Sequence, residues 1–276
     1  MTPASSFTTT DTARYVFGLM LGTACPKLVG FGDAPLEIVF EQDGISAVGC
    51  EVSLDEFGQD VVSERMEDMD WVGEIATIHF ATCDKIFQES KNFLPFRLFT
   101  VFSSPQAVQD LLTARFKDFQ SEFQRLEGKA EFGLKIWAKE EWLDTFALRN
   151  DKNLQTLYAQ TNQSGGKSFF SAKKYELAMA EAKKKLAPQL GQRLAGTLKN
   201  VFSLSPEQMK TLSLPAVGVK GFLPLINLSL LLGRDRLEEL KLMAERLDRE
   251  ALGGGLVEAI GPLPPYSFIN LGEEAM

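Results

Sequence analysis

Near the end of this 276-residue chain, three prolines fall within four positions, in the run Gly261-Pro262-Leu263-Pro264-Pro265-Tyr266-Ser267-Phe268-Ile269. Each proline fixes φ and lacks a backbone N–H, so the run cannot be helical. It holds an extended shape at low entropic cost. It follows a helical pattern and the short apolar run Val257–Ile260. A segment of this kind, ending in Tyr266 and Phe268, is expected to dock on the body of the protein, covering the apolar surface of the domain that precedes it.

The remaining composition is that of an ordinary globular chain, 45% hydrophobic and 24% charged. The length suits one large or two ordinary domains. The formal net charge of −8 argues against a nucleic-acid binder, which needs a basic face to release counterions. The one basic concentration, Lys173-Lys174 and Lys183-Lys184-Lys185, reads as a solvated helix face. Three cysteines, Cys25, Cys50 and Cys83, lack motif spacing and fit a reducing compartment. The Ser/Thr-rich segment before Arg14 has neither a basic start nor an apolar centre and does not read as a signal peptide. The apolar run Gly221–Leu232 contains Pro224, Asn227 and Ser229 and is too short to span a bilayer. These features predict a cytoplasmic protein with no membrane segment.

Periodicity predicts the elements. Tyr15–Leu21 reads as a strand, and Leu36–Glu41 and Ile45–Val52 as a hairpin turning at Asp43-Gly44. Leu54–Met66 reads as a polar helix or loop. Trp71, Ile75, Ile78, Thr82 and Ile86 predict a helix over Asp70–Lys91. Phe96–Phe102 reads as one buried strand. Ser104-Pro105 opens a helix whose stripe is Val108, Leu112, Phe116, Phe119, Phe123 and Leu126, ended by Gly128. Glu131–Ile136 alternates as a strand. After a polar stretch broken at Asn162–Gly166, two helices are expected, Ala172–Leu186 and Leu190–Val201, interrupted by Pro188. Phe202–Gly221 reads as a loop and Leu225–Leu232 as a core strand. Asp235 and Glu238 form a capping-box pattern for a helix with Leu237, Leu240, Ala244, Leu247 and Ala251 on one stripe. Lys241–Glu245 and Glu245–Arg249 are spaced as ion pairs on its solvent side. Gly253–Gly255 ends that helix, and Leu256–Ile260 returns as a strand. The order predicts an α+β protein in two parts, each with the elements of a split β-α-β arrangement.

Few residues offer chemistry. Gly165-Gly166-Lys167-Ser168 approaches a phosphate-binding loop, but Thr161 stands where the pattern needs a glycine, and a polar segment stands where it needs a buried strand. His79, the only histidine, lies one helical turn from Cys83 and could offer two metal ligands or a haem ligand. The simpler role is a helix-face histidine at the border of the core. Glu140-Glu141, Glu67-Asp68 and Asp68–Asp70 are carboxylate pairs on predicted surface segments, with nothing that makes them converge. No catalytic, cofactor-binding or metal-binding set follows, and the chain is not expected to be an enzyme or to carry a cofactor.

Two further segments give the proline tail its meaning: Leu94-Pro95-Phe96-Arg97-Leu98-Phe99-Thr100-Val101-Phe102 and Gly128-Lys129-Ala130-Glu131-Phe132-Gly133-Leu134-Lys135-Ile136. In this order, and with Tyr15-Val16-Phe17-Gly18 at the start, the chain resembles the gas vesicle protein family GvpF/GvpL from about Tyr15 to Phe268. Leu98-Phe99 stands for that family's usual Phe-Gly, Phe132 for its Trp, and Leu263 for the Trp before the double proline. The resemblance implies two α+β domains, the second a modified ferredoxin-like fold with long helices. The expected limits are a flexible tail over 1–14, an N-terminal domain over 15–128 and a C-terminal domain over 129–276. It also implies a binding role at the gas vesicle, with the small hydrophobic shell protein and other accessory proteins as partners. A ferredoxin-like haem or small-ligand enzyme using His79 is the alternative, and the partner-binding surface is not marked by any motif.

Overall fold

A computed structural model describes residues 11–161, 168–215 and 218–271. The chain forms two compact units, one of residues up to 130 together with those from 263 onward, the other of 131–262.

In the first unit, β1 (Thr12–Leu21) lies inside a sheet with β2 (Glu37–Gln42), β3 (Ile45–Ser53) and β4 (Phe93–Pro95), in the order β2-β3-β1-β4. β5 (Val101–Phe102) pairs with the start of β1. β1 and β3 run antiparallel from Thr12↔Ser53 to Leu21↔Ile45. The expected hairpin is present, with Gln42 opposite Ile45. Asp43 and Gly44 both have positive φ (47° and 81°), as a two-residue turn matching strand twist requires. Among the described residues three strands precede the first α-helix, so this unit lacks the split β-α-β order expected of it.

Short helices α1 (Leu54–Phe57) and α2 (Gln59–Arg65) lead into α3 (Met69–Ser90). The Asp68 carboxylate caps α3 by accepting from Trp71 N at 3.1 Å. α4 (Pro105–Leu126) begins as its sequence requires, with the Ser104 hydroxyl accepting from Ala107 N at 3.3 Å. Its stripe is buried at Val108, Leu112, Phe119, Phe123 and Leu126. Phe116 is only half-buried, next to the point where the helix kinks at Arg115.

The single strand expected over Phe96–Phe102 is instead a break between β4 and β5. Phe96 N still donates to Phe17 O at 2.8 Å, but Thr100 N turns back to Arg97 O and Phe99 takes φ 65°. Uniform apolar character cannot reveal such a turn. What holds it is tertiary: the Tyr15 hydroxyl accepts from Phe99 N at 3.0 Å, and the Phe99 ring stacks on Trp71 with centroids 5.3 Å apart.

The tail returns to this first unit, not to the domain before it as expected. Arg125 donates to Phe268 O, Asn270 N donates to a Glu122 carboxylate oxygen at 2.8 Å, and Phe268 and Leu271 are buried. Arg125 and Glu122 pair with each other one turn apart on α4. Residues Thr12–Arg14, expected to be flexible, are the beginning of β1, and residues 1–10 lie outside the described residues.

The second unit has the element order β-α-β-β-α-β, with three helices in its first connection. β6 (Lys129–Lys139) is followed by α5 (Glu140–Asn150), α6 (Lys152–Thr161) and α7 (Ser168–Val201), then β7 (Met209–Thr211), β8 (Phe222–Gly233), α8 (Leu237–Leu252) and β9 (Leu256–Leu263). The strand order is β7-β8-β6-β9. β7 lies in the segment expected to be a loop. The inner strand β6 is buried on both faces between Ala130 and Ala138, apart from the half-buried Gly133 and Lys135.

α7 corrects the expectation of two helices: it runs without interruption through Pro188, about 51 Å at 1.5 Å per residue. An interior proline costs roughly 3 kcal/mol. Packing on both sides of it offsets that cost. Met179, with Tyr175, Ala178, Ala182 and Leu186, packs against Ala147 and Leu154, while Leu190, Leu194 and Leu198 are buried beyond Pro188.

The capping box at Asp235 does not form. Arg236 occupies the cap position without a side-chain bond and pairs with Glu239 instead. The buried face of α8 is Leu240, Ala244, Asp248 and Leu252, while Ala251 is exposed. Lys241 pairs with Glu238 rather than Glu245, and Arg249 with Glu245 at 3.6 Å. Among the described residues, no helix is long and apolar enough to cross a membrane.

Candidate functional site

His79 projects from α3 into the centre of the first unit and is fully buried. The Tyr15 hydroxyl, on β1, lies 2.9 Å from His79 Nδ1. The ring also hydrogen-bonds the Phe96 backbone carbonyl, which can only accept, so the ring N–H is assigned to that side and Nδ1 accepts from the Tyr15 hydroxyl. Nε2 carries the proton and faces the Phe96 carbonyl and, at 3.7 Å, the Cys83 thiol. Cys83 Sγ in turn donates to Phe17 O at 3.6 Å, and the Tyr266 hydroxyl lies against the thiol. Rings of Phe17, Phe31 and Phe57 close around Tyr15.

This surrounding fixes the protonation states. Burial depresses the His79 pKa to about 4, against a smaller opposing effect of the Phe96 carbonyl, so the ring is neutral at pH 7. Burial also pushes the Cys83 thiol up to about 12 and the Tyr15 phenol well above its ordinary range. A metal or haem ligand needs a nitrogen lone pair turned toward open space. The one lone pair here is used by Tyr15. Among the described residues, no group of three or more His, Cys, Asp or Glu is placed to hold a metal ion. The cluster joins β1, α3 and the 96–99 turn, and the tail reaches it through Tyr266.

The other sequence candidates take structural roles. Asp68 caps α3. Glu140 sits in the first turn of α5 and pairs with Lys183, which also contacts Asp144 at 2.9 Å. Gly165, Gly166, Lys167 and the Ser168 side chain lie outside the described residues. The segment before them is the helix α6, not the strand that a phosphate cradle requires. These candidates do not converge.

A feature with no motif is a groove in the second unit, between α7 and the β7–β8 edge, of about 460 Å³. Ala187, Gly191 and Ala195 form its α7 wall, and Leu212, Leu214 and Leu223 the opposite side. Gly191 lets the helix press close: a Cβ there would fall 2.4 Å from Leu225 O. Lys184, Gln192 and Asn227 supply the polar rim. Leu212 and Leu214 are 41% and 48% exposed. Their alternation in Leu212-Ser213-Leu214 is the one sequence signal that pointed to this wall, and it lies in a segment that reads as a loop.

The family model for gas vesicle synthesis protein GvpL/GvpF matches residues 13–270. Gas vesicle protein L of Streptomyces sp. (strain CB03234) is 24% identical over 272 residues, covering 96% of each chain. The crystal structure of GvpF from Anabaena sp. PCC7120 superimposes with a TM-score of 0.66 at 12% identity, over 95% of this chain and 100% of that one. That of GvpF from Microcystis aeruginosa gives 0.60 at 15% identity, over 94% and 99%.

Proposed function

Because the chain belongs to the gas vesicle synthesis protein GvpL/GvpF family, we propose that it serves gas vesicle formation as a non-catalytic accessory or minor structural protein, binding the hydrophobic shell protein and fellow accessory proteins during nucleation and assembly of the wall. The observation that carries this reading is the family match, which spans both units from residue 13 to 270. The chemistry of the chain agrees with it. Its single histidine is spent in the core, Asp68 and Glu140 act as a cap and a surface ion pair, and its second unit carries an apolar groove. A small shell protein with exposed strands and apolar faces aggregates readily. An acidic partner of net charge −8 would cover such surfaces and keep the complex dispersed. In this reading the protein acts at the gas vesicle and in the surrounding cytoplasm, and its second unit is a modified ferredoxin-like module.

Deleting the gene from a vesicle-producing cell should abolish or reduce buoyant vesicles, and the purified protein should capture the shell protein in a pull-down. Rescue by His79→Gln is expected, since Gln can accept from Tyr15 and donate to Phe96 without an imidazole. A folded His79→Gln protein that fails to rescue would refute a binding-only role.

A further inference from the structure

The α7–β8 groove combines three properties. It is lined mainly by apolar side chains, its sheet wall offers few free backbone groups, and one end carries Lys184. On the sheet side, β7 pairs with β8 at Leu228–Leu230, and the chain beyond it continues the contact: Leu212 N donates to Asn227 O, and Asn227 Nδ2 donates to Ser213 O. Farther along, Gly191 of α7 sits against Leu225 O, and Pro224 has no N–H to offer. An extended peptide would find few backbone partners here. A helix needs none, because its backbone bonds are internal and it docks through side chains at i, i+3, i+4 and i+7. The small residues Ala187 and Ala195 leave room for such side chains opposite Leu212, Leu214 and Leu223.

The charge identifies the polar face of the occupant. α7 carries seven basic residues against two acidic ones, a net of +5 within a chain of −8. Lys183 is neutralised by Glu140 and Asp144. Lys184, on the groove rim, and Lys185 are exposed and have no acidic partner among the described residues. Lys184 in the groove lining, with Lys185 beside it on α7, favours an occupant that presents acidic residues at this end.

We propose that this groove is the docking site for an amphipathic helix of the partner, with its apolar face on Leu212, Leu214 and Leu223 and acidic residues facing Lys184 and Lys185. The proposal rests on the binding role inferred above and assigns that role a surface and a partner chemistry.

Fluorescence anisotropy with a labelled helical peptide of about five turns, Leu-faced on one side and Glu-faced on the other, tests it on the full-length protein. Saturable binding is expected, weakened at least about tenfold by Leu214→Asp and by Lys184→Glu with Lys185→Glu. A Lys-faced peptide of the same apolar pattern should not bind. Circular dichroism of each variant should match the parent, and Ala195→Trp, which fills the groove from its other wall, should weaken binding as Leu214→Asp does. Absence of Glu-faced binding, equal binding of both peptides, or full binding by the folded variants would overturn the proposal. So would binding to phosphatidylserine vesicles without peptide binding, which would assign the lysines to a lipid surface. In a parallel pull-down, loss of the shell protein from the parent chain sinks the functional reading. Its capture by parent and groove variants alike sinks only the groove.

Discussion

Lowering the pH should destabilise the first unit through one group, His79. Its pKa is ordinarily near 6.5 and is held at about 4 in the folded chain by burial. The folded state therefore resists taking up a proton that the unfolded chain accepts. Stability from this group is fully present above about pH 6.5 and is lost as the pH falls toward 4. Each pKa unit corresponds to about 1.4 kcal/mol, so going from about pH 7.5 to pH 5 should cost roughly 2 kcal/mol. Protonation would turn Nδ1 from acceptor to donor, so the buried Tyr15 hydroxyl that supports the 96–99 turn would lose the acceptor of its own proton. Because the chain has one histidine, no other imidazole contributes. The assay is urea denaturation of the parent and His79→Gln at both pH values. The variant should be less stable at neutral pH, and the gap between the two proteins should narrow by about 2 kcal/mol at pH 5. A gap that stays constant within about 0.5 kcal/mol would show that His79 is hydrated or protonated in the folded protein, refuting the buried neutral assignment.

Phe119→Ala should cost about 3–5 kcal/mol, since its ring is fully buried beneath α4, and a loss under about 1 kcal/mol in denaturant would contradict that burial. At Phe99, replacement by Ala should destabilise more than replacement by Gly, by about 1 kcal/mol: both lose the Trp71 stack, but only Ala keeps the strained positive φ. Equal unfolding midpoints for the two variants would remove the strain argument. Truncation after Leu263 should destabilise the first unit by about 3–5 kcal/mol, because it uncovers the seats of Phe268 and Leu271 and strands Arg125 and Glu122; an unchanged urea midpoint would mean that the tail is not docked.

The amino-acid order by itself determined most helices and the hairpin, because their signals are local. The Ser104-Pro105 start of α4, its apolar stripe and the Asp43-Gly44 turn each act within a few residues along the chain. It also pointed to the family, through three short apolar segments, and the family model matches residues 13–270. Tertiary structure decided what depends on residues distant in sequence. Pro188 should have broken α7, but contacts with α5, α6 and β8 outweigh one lost backbone bond. Phe96–Phe102 should have been one strand, but Tyr15, Trp71 and His79 bend it, and no periodicity encodes partners as much as 84 residues apart. The proline tail is legibly extended and apolar in sequence; which surface receives it was settled by Glu122 and Arg125, paired on α4 and placed to meet Phe268 and Asn270. The groove was the least legible feature, since its two walls come from segments with no shared motif, and it exists only because Gly191 lets a helix lie against the edge of a sheet.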